Sequence, residues 1–202
     1  MTKIKLCGLT RPEDIEVVNR LQPDYCGFII EFSKSFRSIT RKQVRALTEK
    51  LDRRILAVGV FVNAPPELPA ALLAEGTIAL AQLHGQEDEA YIHSLRQLTD
   101  GPLIKAFSVK TAEDVKGAKE CSADYILLDQ GSGGTGQRFD WSLTEGLTRP
   151  YFLAGGLNPA NLAEAIKQLH PWAVDLSSGL ETDRLKDPAK MEQAVQIVRQ
   201  TT

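Results

Sequence analysis

Tyr125-Ile126-Leu127-Leu128-Asp129 ends an apolar run on a single carboxylate and empties into Gln130-Gly131-Ser132-Gly133-Gly134-Thr135-Gly136. A carboxylate at a strand's carboxyl end, beside a loop with accessible backbone N–H groups, suits acid–base work on an anionic ligand. The loop also matches G-x-G-x-x-G literally. A dinucleotide fingerprint needs a helix to open directly after the glycines, and Gln137-Arg138-Phe139-Asp140-Trp141 is not a helix start, so that reading is set aside.

Three other positions carry possible chemistry. Cys7 stands before Gly8 at the end of a short β-type run. A lone cysteine is usually a buried structural thiol, but at a strand end it is also a candidate base. An ordinary thiol, with a pKa of about 8.5, is only slightly ionised at neutral pH, so positive charge from Lys5 would help. Gly155-Gly156 and Ser178-Gly179 follow two later strands. Either pair alone reads as a tight strand-to-helix turn; together they let backbone amides approach a phosphate. Arg37 lies on a polar loop after the second strand, either as a solvated charge or as a fork for a substrate carboxylate. His84 reads as structural, and His93 and His170 fall on helix surfaces or ends. Three dispersed histidines give no metal-ligand spacing.

The elements that must position these residues alternate along the chain. Strands are expected at 4–9, 25–31, 55–63, 78–83, 103–109, 125–130, 151–154 and 174–177, mostly as continuous apolar runs. Helices are expected after Pro12, after Thr40, at Pro65-Pro66, over 88–98, after Thr111, after Asn158-Pro159 and after Asp187-Pro188. Only a weak helical piece, near Leu143–Leu147, follows the sixth strand. Strands alternating with helices indicate an α/β fold. Eight units of roughly 25 residues indicate a closed (β/α)8 barrel in a single domain over 1–202, with the helix after strand six short or degenerate. In such a barrel the active site lies at the carboxyl ends of the strands, and the ends of strands seven and eight form the usual phosphate cradle.

Composition excludes several classes. The chain has 202 residues, 24 Lys plus Arg against 26 Asp plus Glu, and a net charge of −2. Nothing there calls for nucleic acid or an anionic membrane as partner. Three cysteines without metal spacing argue against a disulfide framework and suit a reducing cytoplasm. No signal peptide and no membrane-spanning apolar run is expected.

The motifs, in order, resemble phosphoribosylanthranilate isomerase of tryptophan biosynthesis. They are Lys5-Leu6-Cys7-Gly8-Leu9-Thr10, Val58-Gly59-Val60-Phe61-Val62-Asn63, Gln82-Leu83-His84-Gly85 and Leu127-Leu128-Asp129. Then come Gly133-Gly134-Thr135-Gly136 with Phe139-Asp140-Trp141, Leu153-Ala154-Gly155-Gly156-Leu157, and Val174-Asp175-Leu176-Ser177-Ser178-Gly179-Leu180-Glu181. The resemblance implies a TIM barrel, no cofactor, no metal and an Amadori rearrangement of N-(5-phosphoribosyl)anthranilate. It implies Cys7 as general base, Asp129 as general acid, Arg37 on the anthranilate carboxylate, and Gly155, Gly156, Ser178 and Gly179 on the phosphate. The partner is then a small phosphorylated substrate, with the chain monomeric or homodimeric. The pattern departs at Phe36, where the family often has proline, and at Arg184, where it often has glycine.

The chemistry asks for two opposite shifts. An acid that opens the ribose ring must start protonated, so Asp129 is expected to be raised; a thiolate base requires Cys7 to be lowered. The loop at Gly133, Gly134, Thr135 and Gly136 is expected to close over the substrate. Two competitors stand beside this reading. One is another phosphosugar barrel enzyme, such as a synthase that would pair Lys105 with a glutamate. The other is a barrel that binds a phosphorylated metabolite without turning it over.

Overall fold

The computed structural model describes residues 1–129 and 147–201. Its strands are β1 (Lys3–Cys7), β2 (Tyr25–Ile30), β3 (Ser38–Ile39), β4 (Leu56–Phe61), β5 (Leu80–Leu83), β6 (Leu103–Ser108), β7 (Tyr125–Asp129), β8 (Tyr151–Leu153), β9 (Ala173–Leu176), β10 (Glu181–Thr182) and β11 (Leu185–Lys186). Its helices are α1 (Pro12–Leu21), α2 (Arg41–Thr48), α3 (Glu67–Ala74), α4 (Glu89–Arg96), α5 (Ala112–Glu120), α6 (Leu162–Leu169) and α7 (Pro188–Thr201).

The strands run parallel in the order β1-β9-β8-β7-β6-β5-β4-β2, and β1 also pairs with β2, so the sheet closes as a (β/α)8 barrel. β3 adds to β2 beyond the point where β1 has ended, pairing Ile29 with Ser38 and Ile30 with Ile39. That short strand raises the wall of the mouth at the loop bearing Arg37.

Local chemistry explains where the helices start. Thr40 and Gln43 bond reciprocally at the head of α2, and Thr111 and Asp114 do the same for α5. Each pair satisfies donors that a helix start leaves open. Asp88 caps α4 through the Tyr91 amide. One expectation is corrected in position: Asn158 does not stand directly before α6. Its Oδ1 caps an intervening turn by accepting from the Ala160 amide at 2.9 Å, and α6 opens after Asn161, whose side chain caps no helix amide. The helical piece expected near Leu143–Leu147 falls, apart from Leu147, outside the described residues.

Alternation on the staves divides the core in two. Leu6, Phe28, Leu83, Leu128 and Val174 face outward onto Ile15, Val18, Leu95, Ile166 and Met191 of the helical layer. Tyr25, Val58, Leu80, Ile104, Leu127 and Phe152 face inward. The Phe152 ring meets Tyr25 edge-on at 5.3 Å and Tyr125 at 6.0 Å. This plug fills the amino-terminal end of the barrel interior. Among the described residues no helix is long and apolar enough to cross a membrane.

Candidate active site

A cavity of about 500 Å³ opens at the carboxyl ends of the strands. Cys7, Arg37, Asp129, Gly155, Gly156 and Ser178 all line it. Gly179 does not: it lies in the turn Ser178–Leu180, so close to the Leu157 carbonyl that a Cβ would sit 2.1 Å from that oxygen. Gly133, Gly134, Thr135 and Gly136, with the loop closure expected of them, lie outside the described residues.

Cys7 ends β1, beside Gly27 of β2 in the sheet register. A Cβ on Gly27 would meet Cys7 Sγ at 2.6 Å and Lys5 Nζ at 3.1 Å, so only glycine leaves room for the pair. Lys5 is fully buried, and its Nζ donates to Asp175 Oδ2 of β9 at 2.9 Å. Burial alone would lower the Lys5 ammonium; Asp175 and the Cys7 thiol outweigh that and hold it above its ordinary value. Such a cation stays charged inside the barrel.

The expected lowering of Cys7 is corrected. Burial pushes the thiol up, and Asp175 adds to this, while Lys5 and Lys186 pull the other way without prevailing. Desolvation wins because the barrel interior solvates a thiolate poorly. Cys26 and Cys121 are buried, as expected of core thiols, and burial raises both.

Asp129 ends β7, three staves from β1 in the ring. Its Oδ2 lies 3.5 Å from His84 Nε2, and His84 Nδ1 lies 2.8 Å from Gln82 Nε2. The two ring nitrogens of His84 thus face Gln82 on one side and Asp129 on the other. The structural reading of His84 therefore understates it, since the ring lines the cavity. Its position at the end of β5, two residues after an inward glutamine, was the available signal.

Arg37 holds Glu181 with a planar two-point fork, Nε to Oε1 at 2.6 Å and Nη2 to Oε2 at 2.7 Å. Lys186 Nζ also donates to Glu181 Oε1 at 2.6 Å, and to the Ser177 carbonyl at 2.9 Å. The sequence offered Glu181 only as a possible partner for Lys105, which it does not meet, and gave no sign of Lys186 at the site. Among the described residues Arg37 Nη1 has no acceptor.

Gly155 and Gly156 have φ of 89° and 64°, a backbone region in which glycine is free of strain. The Gly156 carbonyl accepts from Asn158 Nδ2 at 3.2 Å and Asn161 Nδ2 at 3.0 Å, which pins this turn at the rim. The opposite rim is apolar: Ile29, Phe32, Phe36, Val60 and Val62. Lys105 is not in the cavity; it bonds Glu87 Oε2 at 3.1 Å and the Gly85 carbonyl at 2.8 Å. The lysine–glutamate pair of a synthase is thus not assembled at this mouth. Among the described residues no three His, Cys, Asp or Glu side chains converge closely enough to share a metal ion.

A barrel whose strand ends bring a thiol, a carboxyl and a glycine-lined rim around one cavity belongs to the (β/α)8-barrel enzymes of acid–base chemistry. Comparison with known proteins narrows the class. The family model described as N-(5'-phosphoribosyl)anthranilate (PRA) isomerase matches residues 4–197, so the chain belongs to that family, whose activity is an Amadori isomerisation in tryptophan biosynthesis. It is 44% identical over 203 residues to the N-(5'-phosphoribosyl)anthranilate isomerase of Endomicrobium trichonymphae, covering 98% of this chain and 99% of that one. The phosphoribosyl anthranilate isomerase structure from Thermotoga maritima superposes with a TM-score of 0.89 at 32% identity, over 99% of this chain and 100% of that one. A further isomerase structure, solved in complex with reduced 1-(o-carboxyphenylamino)-1-deoxyribulose 5-phosphate, superposes with a TM-score of 0.87 at 31% identity, over 99% and 100%.

Proposed function

We propose that this mouth rearranges N-(5-phosphoribosyl)anthranilate to 1-(2-carboxyphenylamino)-1-deoxyribulose 5-phosphate with Asp129 as general acid and Cys7 as general base. The observation that carries the assignment is that both side chains, from β7 and β1, line one cavity rimmed by Gly155, Gly156 and Ser178. The phosphate lies at the glycine rim with Gly179 shaping its turn, the ribose spans Cys7 and Asp129, and the aryl ring rests on the apolar rim. Arg37 meets the aryl carboxylate through Nη1, while Glu181 holds the guanidinium plane.

The steps follow from that placement. Asp129 gives its proton to the ribose ring oxygen as the C1–O bond breaks, and the nitrogen lone pair forms the C=N bond of a protonated Schiff base. Cys7 then takes the C2 proton. The freed electron pair makes a C1=C2 bond and returns the C=N pair to nitrogen, giving an enolamine. The enolamine loses its O2 proton and gains one at C1, yielding the ketone. Two features of the site favour the thiolate when it is needed. The iminium created by the first step adds positive charge near Cys7, beside that of Lys5. Among the described residues Asp175 Oδ1, buried in the cavity wall, has no hydrogen-bond partner, and a ribose hydroxyl donated to it would weaken its repulsion of the thiolate. His84 steers the Asp129 carboxyl through Nε2.

The family match over residues 4–197 supports reading the chain as one catalytic domain. Three unpaired cysteines fit a reducing cytoplasm. The test is a fluorescence assay of phosphoribosylanthranilate consumption, run beside titration with the phosphorylated product. Turnover with product binding is expected. A folded chain that binds product without turnover would make this a binding barrel instead.

A further inference from the structure

We propose that Phe36 determines the fit of the substrate's aryl ring and that Arg184 is the residue that positions Phe36. This rests on the orientation given under the proposed function. Phe36 is 53% exposed, yet it lines the cavity on its apolar side with Ile29, Phe32, Val60 and Val62. An aromatic side chain half in water on a loop has rotamers to lose when a ligand docks against it, and that loss weakens binding unless something holds the ring beforehand.

Two guanidinium groups hold it. Arg37 Cζ lies 4.2 Å from the Phe36 ring centroid, and Arg184 Cζ lies 5.3 Å from it. The Arg37 contact is incidental to its fork with Glu181. The Arg184 contact has no such second purpose: among the described residues its guanidinium forms no ion pair. Arg184 also occupies a position that works against it. It forms the β10–β11 turn with Asp183, at φ of 64° and 51°, a two-residue hairpin geometry that favours glycine or asparagine over a long side chain. An arginine at a left-handed turn, whose one side-chain contact among the described residues is with an exposed cavity-lining ring, is explained by what that ring does. The same hairpin carries Glu181 and Lys186, so Arg37, Phe36 and Arg184 tie the β2–β3 loop to the hairpin beside the mouth.

The test compares two ligands on five proteins. The ligands are reduced 1-(o-carboxyphenylamino)-1-deoxyribulose 5-phosphate, which carries the aryl ring, and ribulose 5-phosphate, which lacks it. The proteins are the wild type, Arg184→Gly, Arg184→Ala and Arg184→Lys, with Phe36→Ala as the reference for losing the ring outright. Arg184→Gly and Arg184→Ala should weaken the aryl ligand by about two- to fivefold, the size of an exposed cation–π contact. Both should leave ribulose 5-phosphate unchanged, and the loss in turnover should fall on KM. Arg184→Lys should recover part of the affinity, and Phe36→Ala should lose about tenfold. Glycine relieves the turn and alanine does not, so equal aryl losses in the two variants separate positioning from stability. Aryl affinity unchanged in both variants, or equal losses for both ligands, would overturn the inference. A wild type that binds neither ligand would overturn the functional reading, and this inference with it.

Discussion

Arg37 and Glu181 meet as fork and carboxylate across 144 residues of chain, with contacts of 2.6 Å and 2.7 Å. The pair joins the loop after β2 to the hairpin after β9, and Lys186 binds the same carboxylate from below the rim. A group that a substrate carboxylate would approach is thus already aligned by one of the protein's own.

This alignment has a pH signature. Burial would raise the Glu181 carboxyl, but Arg37 and Lys186 outweigh it and hold the group below its ordinary value. A depressed carboxyl contributes stability that is fully present above its unfolded value, about 4.3, and is lost as pH falls through the folded value. Thermal unfolding of the wild type and Glu181→Gln should therefore differ near neutral pH and converge below about pH 4. Curves that stay parallel down to pH 3 would show that the fork does not stabilise the carboxylate form.

Gly27 tests the packing around Cys7. A methyl group there would press on Cys7 Sγ and Lys5 Nζ at once, from 2.6 Å and 3.1 Å. Gly27→Ala should cost about 1–3 kcal/mol in denaturant unfolding, the usual penalty for overpacking. It should also lower kcat by more than KM rises, because Cys7, the proposed base, is displaced. Full activity with unchanged stability would mean that the strands absorb the methyl without moving the thiol.

The buried Lys5–Asp175 pair predicts both a stability and a reactivity. Lys5→Met leaves Asp175 buried and unpaired, and should destabilise the fold by about 3–5 kcal/mol. Alkylation of Cys7 by iodoacetamide should rise with pH through a value above that of a free thiol, because burial raises the group. Among folded Lys5→Met molecules the rise should shift to still higher pH, since the nearest cation favouring the thiolate is gone. An unshifted profile would remove Lys5 from any role at the base.

The staves were legible because parallel strands buried on both faces read as unbroken apolar runs, and Cys7, Asp129 and Gly155-Gly156 because they stand where those runs stop. Whatever depends on barrel closure was not. Lys5 and Asp175 become partners only when β9 returns to β1, and nothing local to either residue announces it. The hairpin β10–β11 turns on Asp183-Arg184, a pair without glycine, so it read as loop, and the contacts of Glu181 with Arg37 and Lys186 across it were not legible. Cys7 was expected to be lowered by its neighbour Lys5, but desolvation depends on the closed barrel and dominates. At α6 the asparagine beside proline was the plain cap signal and does cap a turn, yet the backbone makes that turn before the helix opens after Asn161.

The most direct measurement is phosphoribosylanthranilate turnover by Cys7→Ala and Asp129→Ala beside the wild type, with product titrated into each. Both variants should fold and bind product, and each should lose about 10²- to 10⁴-fold in kcat, the range for removing a general acid or base. A Cys7→Ala variant as active as the wild type would contradict this, and would place the base elsewhere in the cavity.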